Sequence, residues 1–423
     1  MLEICDYNDC TGCAACANVC GHSAITIVPD KYGFLHPTIA QSLCVDCGLC
    51  KKVCPNNTLP AYRQPIKAYV GCAIDSHEQL SSTSGGIASV LSRHIIANGG
   101  VVYGSNGSDC QNIHHKRIES EEEIVFLKGS KYVQSSIGKV FRSVVKDLRD
   151  NRPVLFIGTP CQVAGLLNVV PEKFKKDLFT IDFVCHGVPP QQMLSESLHL
   201  QANDSQLENL NLRFRVKKWK TASLSRYKLV DDNALADIPD KASCITQYGL
   251  FGMLNGKLVI DSPFPQNDYI VGFLTGLLYR DSCFRCHYAR PKRVSDITLG
   301  DFHFTDKNHA PVFGENRILS QIIVNTEKGN AILEELNNSI SKATVDYGKL
   351  QENNSQLSHP MKPHHLRNEF LNAYLKTGML AAANILKEDK SRIKRHMLIT
   401  KLRNALYSIP FVPSLLTRLR NGK

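Results

Sequence analysis

Two cysteine quartets with one shared spacing open the chain, and they constrain its N-terminal fold more than any other feature. Each quartet reads C-x2-C-x2-C-x3-C, and Pro55 follows the second one. In two-cluster bacterial ferredoxins, three close cysteines bind one [4Fe–4S] cluster and the fourth binds the other. The spacing therefore predicts two clusters, with these ligand sets: Cys10, Cys13, Cys16 and Cys54 for the first, and Cys44, Cys47, Cys50 and Cys20 for the second.

Zinc sites and disulfide frameworks are the alternatives for a cysteine-rich chain. Zinc sites usually pair two C-x2-C units across a longer loop, whereas each quartet here is uninterrupted. Disulfide frameworks belong mainly to small exported domains, and the chain starts MLEICDYNDC, without the basic and apolar regions of a secretory signal. We therefore expect iron–sulfur ligation in a cytoplasmic protein. Cys5 lies outside the quartets and is assigned no role.

The net charge of +11 is concentrated near the C terminus. Residues 387–423 contain ten Lys or Arg and two acidic residues, a net charge of +8. No nucleic-acid-binding module accompanies this charge, so nucleic-acid binding is not predicted. Basic residues mixed with apolar ones are typical of a helix that lies on an anionic membrane or docks on an acidic partner. A terminal helix packed on the core, with its charges solvated, fits the same pattern.

The patterning divides the chain into three parts. Residues 1–57 are the predicted two-[4Fe–4S] ferredoxin-like domain, and a linker rich in proline and polar residues follows. Residues 66–345 alternate strand-like runs with helical stripes, which predicts a mixed α/β core with at least some parallel strands. Residues 346–423 are predicted to be a helical, basic C-terminal segment. The expected fold class is therefore α+β / α/β.

Individual elements of the core follow from local patterns. Strands are predicted in IKAYVGCAI, VVYG, PVLFIG and LFTIDFVC. Apolar residues at helical spacing predict one helix over residues 87–95, ended by Asn98 and two glycines. A second stripe over residues 137–148 predicts another helix, which Ser135 or Ser136 should cap.

Several core segments carry residues suited to a cofactor. Residues 81–86 read SSTSGG and open a helix, where free N–H groups and hydroxyls suit a phosphate, although such loops also simply cap helices. Residues 129–135 read GSKYVQS and precede the next helix. Residues 158–162 read GTPCQ at the end of a buried strand, and the helix that follows should lower the pKa of Cys161.

Six segments between residues 68 and 302 together resemble the family of coenzyme F-420 hydrogenase/dehydrogenase beta subunits, in the family's order. They read SSTSGGIAS, GSKYVQS, LFIGTPCQVAGL, DFVCHGVP, SCFRCHYAR and SDITLGDF. The fused ferredoxin-like N terminus is similar to that of bacterial members. The resemblance implies an α/β core that binds a flavin, FAD, with an iron–sulfur cluster close to it.

The resemblance also implies a second redox partner. Family members pass electrons between clusters, a flavin and that partner, which is the deazaflavin coenzyme in archaeal members and a chlorophyll derivative in a plant relative. The fold therefore supports more than one substrate. Members commonly read DFWG where this chain has Asp301, Phe302, His303 and Phe304, and this departure leaves the substrate face open. Thr83, inserted among the serines, should preserve the hydroxyl donors.

Flavin contacts are expected in three of the matching segments. The expected residues are Ser82, Ser84, Gly85, Gly86, Gly129, Ser130, Lys131, Tyr132, Gln134, Ser135, Thr159, Pro160 and Gln162. Lys131 is expected to stabilise the anionic reduced ring, and a solvated surface lysine is the alternative. His186 is expected to donate a proton to flavin or substrate, and a histidine that only supports a cluster or the core is equally compatible. Asp301 either orients the cofactor or caps a turn.

Four core cysteines are candidates for a third [4Fe–4S] cluster, which the resemblance also implies. Cys161 and Cys185 follow the carboxyl ends of strands, the edge at which open α/β sheets bind ligands. Cys283 and Cys286 form a C-x2-C pair. The alternative is a buried or reactive thiol at Cys161 and a redox dithiol at the other pair. Three further cysteines lack partners at ligand spacing and are expected to be ordinary buried residues: Cys72, Cys110 and Cys244.

These patterns favour a flavin-dependent iron–sulfur oxidoreductase. Electrons would pass between a ferredoxin or another redox protein, the clusters, FAD and a small-molecule hydride acceptor or donor, in either direction. One alternative is a non-catalytic electron-transfer subunit. Another is a redox accessory protein of a surface-polysaccharide pathway, a setting in which bacterial members of the resembled family occur.

Overall fold

The computed structural model describes residues 3–221, 228–230, 238, 243–302, 313 and 318–407. Within these ranges the chain forms a small N-terminal module, a large mixed sheet with helices, a second antiparallel sheet and a helical C-terminal part. The expected α+β / α/β class is confirmed. His303, Phe304 and residues 408–423, to which part of the sequence analysis refers, lie outside the described residues.

The N-terminal module consists of two short helices and one pair of antiparallel strands. These are α1 (Ala15–Val19), β1 (Ile25–Pro29), β2 (Leu35–Ile39) and α2 (Leu49–Val53). Each helix follows a residue in the left-handed region, Ala14 at φ 60° and Gly48 at φ 72°. This turn lies between the second and third cysteines of each quartet, so that Cys16 and Cys50 occupy equivalent positions inside the two helices.

Twelve further strands are described after this module. They are β3 (Lys67–Ala73), β4 (Val101–Asn106), β5 (His114–Ile118), β6 (Val154–Gly158), β7 (Leu178–Phe183), β8 (Asn211–Lys220), β9 (Lys228–Leu229), β10 (Ser243–Leu254), β11 (Lys257–Pro263), β12 (Ile297–Phe302), β13 (Leu319–Val324) and β14 (Ile340–Thr344). Eight of them form one sheet in the order β14-β3-β13-β12-β7-β6-β4-β5, and four form an antiparallel sheet in the order β11-β10-β8-β9.

The large sheet is parallel at its centre and antiparallel at both sides. Strands β12, β7, β6 and β4 pair in parallel, while β13, β3, β14 and β5 join by antiparallel pairing. The expected α/β core with some parallel pairing is therefore confirmed. The carboxyl ends of β6 and β7, which are neighbours, lie at the same edge of the sheet.

Thirteen helices follow the module within the described residues. They are α3 (Ser76–Ser81), α4 (Ile87–Ala97), α5 (Ile124–Leu127), α6 (Val140–Arg149), α7 (Pro160–Val169), α8 (Gln191–His199), α9 (Asp204–Leu207), α10 (Asp268–Leu274), α11 (Glu327–Glu335), α12 (Tyr347–Asn353), α13 (Arg367–Thr377), α14 (Leu380–Ile385) and α15 (Lys387–Tyr407). No helix among the described residues has both the length and the apolar character that crossing a membrane requires.

The predicted strands and helices of the core form, but the predicted cap of α6 is wrong. The helix begins at Val140 after Lys139, without a side-chain cap. Ser135 instead contacts a buried histidine, His115, with 2.8 Å between its Oγ and the ring Nδ1. Ser136 pairs with His114 in a β-bridge beside the sheet. A long-range pairing thus uses the two serines that local sequence assigns to the helix.

The N-terminal module packs against the core through a shared apolar cluster. Cys13, Ala14 and Ala15 of the module are buried together with Phe141 of α6 and Val163 of α7. Polar contacts reinforce this interface, because Arg142 of α6 donates to the backbone carbonyls of three residues around the end of α1: Ala17, Asn18 and Cys20. The module is therefore held against the helix that carries Cys161.

Candidate functional site

The second ferredoxin-type quartet surrounds one cavity. Cys20 meets Cys44, Cys47 and Cys50 around this cavity, whose other lining is mostly small or apolar, such as Ile25, with His22 and Asp46 as polar members. The cysteine from the first repeat thus joins three from the second, as the spacing predicts. Cys47 is exposed, so that this cavity lies close to the protein surface.

The first quartet lies deeper, between the module and the core. Burial raises the pKa of Cys13 to about 12, and nearby thiols, including Cys10 and Cys54, add to that rise. Cys16 is subject to the same influences, because the thiols of Cys13, Cys10 and Cys54 all raise its pKa beyond the effect of burial. The four predicted ligands of the first cluster therefore lie close to one another.

Cys5, which the spacing rule leaves out, lies against this first quartet. A hydrogen bond from Cys5 is the largest factor that lowers the pKa of Cys10, to about 4, and that of Cys54, to about 7. The amide of Asn56 lies 3.7 Å from the Cys5 sulfur. Sequence spacing carries no signal for this contact, because Cys5 precedes the repeated motif.

The four core cysteines line a single cavity. Cys161 lies in the first turn of α7 after β6, and Cys185 follows β7, so that the adjacent carboxyl ends of two parallel strands supply two of them. Cys283 and Cys286 come from the 3-10 turn Asp281–Arg285 and the residue after it. Burial raises the pKa of Cys185, and the charges of the other three thiols raise it further.

The expected low pKa of Cys161 is wrong. Burial raises the pKa of this thiol to about 11, against opposing effects from a hydrogen bond with Thr159 and the charge of Arg280. Removal of the thiolate from water therefore outweighs the favourable field at the start of α7. Cys283 is likewise only partly exposed, and desolvation raises its pKa to about 12. Buried thiols of this kind fit metal ligands or inert residues better than an activated nucleophile.

The donor sets suit multi-iron clusters. No three His, Cys, Asp or Glu side chains in the described part of the chain are grouped to hold one metal ion. The second quartet and the four core cysteines each line a cavity instead, which suits a [4Fe–4S] cube, because its four ligands bind iron atoms at different corners. Cys161, Cys185, Cys283 and Cys286 share one cavity, so they fit a cluster better than a separate thiol and dithiol.

One buried arginine lies between the first quartet and the core cavity. Arg280 is 2% exposed and lines the cavity. Its guanidinium donates to the carbonyl of Leu35 in the module at 2.7 Å and to Gln134 Oε1 at 3.1 Å. Its charge lowers the pKa of thiols on both sides, opposing burial at Cys10 and at Cys161. Arg280 therefore connects the two predicted cluster sites through contact and charge.

The two sites also approach each other through α7. A Cβ placed on Gly165, one helical turn after Cys161, would lie 3.0 Å from the sulfur of Cys13. A side chain at this position would therefore push the module away by at least a few tenths of an ångström.

Replacing Gly165 with valine is expected to loosen the N-terminal module. The added methyl groups would meet the side chain of Cys13, and overpacking of this kind typically costs about 1–3 kcal/mol of stability. Faster limited proteolysis within residues 56–65 and a lower melting temperature are the readouts. Gly21→Val is the matched control, because a Cβ there has open space. Equal proteolysis of the two variants would show that the close approach does not hold the module.

The Ser/Gly loop differs from its expected form. The hydroxyl of Ser84 donates to the carbonyl of Leu319 at 2.9 Å, and the backbone N–H of Gly85 donates to Ser320 Oγ at 2.9 Å. Ser82 donates to Glu78 Oε1 at 3.1 Å. These donors are therefore occupied by β13 and α3, not free for a phosphate. Gly86, at φ 84°, begins α4 as expected.

The GSKYVQS segment packs on the Ser/Gly loop. The N–H of Ser130 donates to the hydroxyl of Thr83 at 2.9 Å. Gly129, at φ 85°, makes the turn before it. The ammonium of Lys131 donates to the carbonyls of Leu127 and Lys128, both at 2.8 Å, and burial lowers the pKa of Lys131 to about 7. Lys131 is therefore not the solvated surface lysine of the alternative interpretation.

A basic face of β8 joins these two loops, and sequence reasoning missed it. Arg213, Arg215 and Lys217 alternate along the strand and so point to one side. Lys217 donates to the carbonyls of Gln79 and, at 2.8 Å, Ser84, and burial lowers the pKa of Lys217 to about 7. The R-x-R-x-K alternation of residues 213–217 was the available signal.

This face holds positive charge that the described residues neutralise only in part. Arg215 is 8% exposed and pairs with Asp301, while its Nε has no hydrogen-bond partner among the described residues. Neither Lys131 nor Lys217 forms an ion pair within the described ranges. Burial of a cation without a counter-ion is costly. An anionic ligand at this face would offset that cost, and Asp301 acts here by orienting Arg215.

A row of aromatic rings in contact connects this region with the core cavity. Tyr132 stacks on Phe273 with 4.4 Å between ring centroids, and Phe273 contacts Tyr279 at 5.4 Å. The ring of Tyr279 packs over Gly187, where a Cβ would lie 2.3 Å from it, next to Cys185 and His186. The GSKYVQS segment and the core cysteines are therefore linked by only two intervening rings.

The remaining residues that were predicted to contact the cofactor lie either at the core cavity or near the basic face of β8. Thr159, Pro160 and exposed His186 line the core cavity. Gln162 forms the capping box of α7 with Thr159, and its amide donates to the carbonyl of Ser135 at 2.9 Å. Gln134 contacts Arg280 and the module instead of the Ser/Gly loop. The predicted contacts thus form two neighbouring groups, one at the cavity and one at the basic face.

Two family models match this chain. Residues 151–347 match the model for the C terminus of the beta subunit of coenzyme F420 hydrogenase/dehydrogenase. Residues 9–58 match the 4Fe-4S dicluster domain. The first range contains all four core cysteines, and the second contains both quartets.

Individual relatives are distant. The chain is similar to the F subunit of the F(420)H(2) dehydrogenase of Methanosarcina mazei, with 21% identity over a 224-residue alignment; the match covers 48% of this chain and 62% of that protein. The match thus spans less than two thirds of the relative's length. A chain of the F420-reducing [NiFe] hydrogenase complex from Methanosarcina barkeri aligns with 78% of this chain and 94% of its own length, at 15% identity and a TM-score of 0.39.

Proposed function

Since this chain belongs to the family of coenzyme F-420 hydrogenase/dehydrogenase beta subunits over residues 151–347 and carries a 4Fe-4S dicluster domain over residues 9–58, we propose that it is an iron–sulfur flavoprotein oxidoreductase. It would pass electrons between a one-electron redox protein and an organic hydride acceptor, in the direction that the partner's potential sets. The observation that carries the proposal is the succession of three cysteine sets from the exposed Cys47 to the edge of the α/β sheet.

The cysteine sets would hold three [4Fe–4S] clusters. Cys20 with Cys44, Cys47 and Cys50 would bind the outer one, the first quartet the middle one, and the four core cysteines the inner one. When bound, clusters supply one-electron transfer and a flavin converts this to hydride transfer. Arg280, between the middle and inner sites, would stabilise the added negative charge on each and hold the module in contact with the core.

The basic face of β8 would hold the flavin as FAD. Lys217 and Arg215 are buried cations suited to the pyrophosphate. Lys131 lies close to Arg213, whose positive charge lowers the pKa of Lys131. Tyr132 and its aromatic neighbours would form the wall between this site and the core cavity. His186, exposed at the cavity, would hold a proton for the hydride acceptor. The deazaflavin coenzyme F-420 is the first acceptor to test, because the similar protein from Methanosarcina mazei is a subunit of an F(420)H(2) dehydrogenase.

Electrons would enter at the outer site. Leu43, Val45 and Leu49 are 52%, 59% and 44% exposed around Cys47. Exposed Lys51 and Lys52 follow on α2. An apolar contact bordered by lysines fits a small acidic carrier such as a ferredoxin, which would meet this surface with complementary charge.

The experiment that tests this function measures flavin reduction through the clusters. The reconstituted protein is mixed anaerobically with reduced ferredoxin, and the bleaching of the bound flavin is followed by stopped flow. Fast bleaching in the native protein, and bleaching at least tenfold slower in a Cys16→Ala variant that has lost the middle cluster, is expected. Equal rates would show that the flavin receives electrons by another route.

Replacing Lys217 with methionine is expected to weaken FAD binding at least tenfold. A buried charge-assisted hydrogen bond is worth about 1.5–3 kcal/mol, and methionine fills the space without the charge. Isothermal titration of the flavin-free protein gives the dissociation constant. Lys218→Met, on the opposite face of β8, is the matched control. Unchanged affinity in the Lys217 variant would place the flavin elsewhere.

The same site predicts how FAD binding depends on pH. Burial lowers the pKa of Lys217 to about 7 in the free protein, and a bound pyrophosphate would raise it. FAD affinity should therefore be highest below pH 7 and fall as the pH rises above 7, because the free lysine loses its proton. The slope should decrease in the Lys217→Met variant. An identical pH dependence of FAD affinity in both proteins would show that Lys217 does not contact the FAD.

A further inference from the structure

The C-terminal helix α15 is anchored to the core at its beginning. Asp389, 3% exposed, pairs with buried His364 at 2.9 Å between Oδ2 and Nε2. Lys390 donates to Asp268 at 2.7 Å. Ile393 packs on the same apolar cluster as α10 and α13. The first two turns of this 21-residue helix are therefore fixed, which makes its direction a property of the fold.

The outer side of the same helix carries exposed large apolar residues. Leu398, Ile399 and Leu402 are 58%, 56% and 57% exposed, while Met397 and Thr400 are half-buried on the inner side. Positions 398 and 402 are one turn apart, and 399 lies beside them, so the three form one continuous patch. Patches of large aliphatic side chains on a folded surface usually mark a binding site.

Basic residues surround this patch and continue beyond it. Lys394, Arg395 and Lys401 are exposed on the same stretch of helix. Residues 390–423 contain nine Lys or Arg and no Asp or Glu. This segment alone accounts for +9 of the net charge of +11. Such a surface is complementary to a binding partner whose outer layer carries negative charge and whose interior is apolar.

We propose that the outer face of α15 binds the surface of an anionic phospholipid membrane. The helix would lie in the plane of the interface, with Leu398, Ile399 and Leu402 inserted between headgroups and Lys394, Arg395 and Lys401 against the lipid phosphates. A membrane fits better than a folded acidic partner, because these basic side chains alternate with the apolar ones along the helix and no acidic residue follows Asp389. This inference does not depend on the redox chemistry proposed above.

The test is vesicle flotation of the full-length protein. Neutral phosphatidylcholine vesicles are compared with vesicles that also contain about one third phosphatidylglycerol. Flotation with the anionic vesicles, and at least a tenfold weaker association with neutral ones or at about 0.5 M salt, is expected. Absence of binding to anionic vesicles would overturn the proposal.

Two sets of variants separate the apolar and the charged contributions. Leu398→Ser with Leu402→Ser, and Lys394→Gln with Lys401→Gln, are each expected to weaken anionic-vesicle binding by roughly tenfold or more. These side chains are exposed, so iron content and melting temperature should stay unchanged. Leu200→Ser is the matched control, because Leu200 is 54% exposed beside a different helix and should leave binding unaffected.

Other occupants of the patch give different results. Binding that persists unchanged in the Leu398 and Leu402 variant would overturn the proposal, since the apolar patch would then take no part. A native protein that is dimeric in solution and does not float, with the serine variant monomeric, would assign the patch to a second copy of the chain. Flotation lost in both variant sets, with iron and flavin content intact, supports the membrane and leaves the redox proposal untouched.

Discussion

Replacing Cys283 with alanine is expected to remove about four iron atoms per chain, one [4Fe–4S] cluster, and to leave the two N-terminal clusters in place. Cys283 shares its cavity with Cys161, Cys185 and Cys286, and all of these thiols are buried or partly buried. Loss of one of four ligands from such a site leaves an iron atom without its protein thiolate. Electron delivery to the flavin should fall by at least a hundredfold in consequence.

Iron and acid-labile sulfide analysis, with low-temperature electron paramagnetic resonance of the reduced protein, measures this loss. The matched control is Cys110→Ala, because Cys110 is 1% exposed and lies in the apolar core away from the cavity. The control should keep the native iron content. A Cys283→Ala protein with native iron content and signals would contradict the third cluster and favour a redox dithiol at Cys283 and Cys286.

Removing the charge of Arg280 is expected to shift the potentials of two clusters together. Arg280 is buried between the first quartet and the core cavity, and its charge acts on Cys10, Cys161 and Cys283. Loss of a buried positive charge makes the addition of an electron less favourable, so an Arg280→Met variant should have lower potentials at both sites. At an effective dielectric constant near 20, a shift on the order of 50–100 mV follows.

The conservative variant separates charge from position. Arg280→Lys keeps the charge but loses the paired contacts with Leu35 and Gln134, so it should retain most of the native potentials while loosening the module. Arg149→Gln is the control, because Arg149 is exposed at the end of α6 and lines neither cysteine cavity. Redox titration monitored by paramagnetic resonance provides the potentials. If the Arg280→Met variant keeps the native cluster potentials, the charge of Arg280 does not tune the clusters and the residue serves only as a structural contact.

Local sequence rules predicted the features that repeat or alternate. The spacing of the quartets identified which cysteines share a cavity, including the exchange of Cys20 into the second set. Apolar runs identified the parallel strands, and therefore the sheet edge at which Cys161 and Cys185 meet. Both predictions succeed because a buried apolar strand and a short loop of cluster ligands are each defined by residues that are close along the chain.

Features that depend on distant segments were not predicted. The contacts of Cys5 with Cys10 and Cys54, and the place of Arg280 between two sites, arise only after the module packs on the core. The donors of Ser84 and Gly85 looked free because β13, which occupies them, lies more than two hundred residues away. The pKa of Cys161 was expected to be low from its helix position alone, and burial by the rest of the site reverses that expectation.

The proposed cofactor site, too, was predicted only where it depends on local sequence. The motifs SSTSGG and GSKYVQS were predicted to contact a cofactor, and the two loops do pack together through Ser130 and Thr83. The buried charge beside them, on Arg215 and Lys217, comes from an antiparallel strand that was not among the predicted strands. Its importance depends on burial, which a single strand pattern does not reveal.

The measurement that tests the account most directly is the iron, sulfide and flavin content of the native protein, purified and reconstituted without oxygen. About twelve iron atoms, as many sulfides and one flavin per chain are expected from three [4Fe–4S] clusters and one FAD. About eight iron atoms and no flavin, even after reconstitution with excess FAD, would contradict both the inner cluster and the flavin site and leave a two-cluster electron carrier.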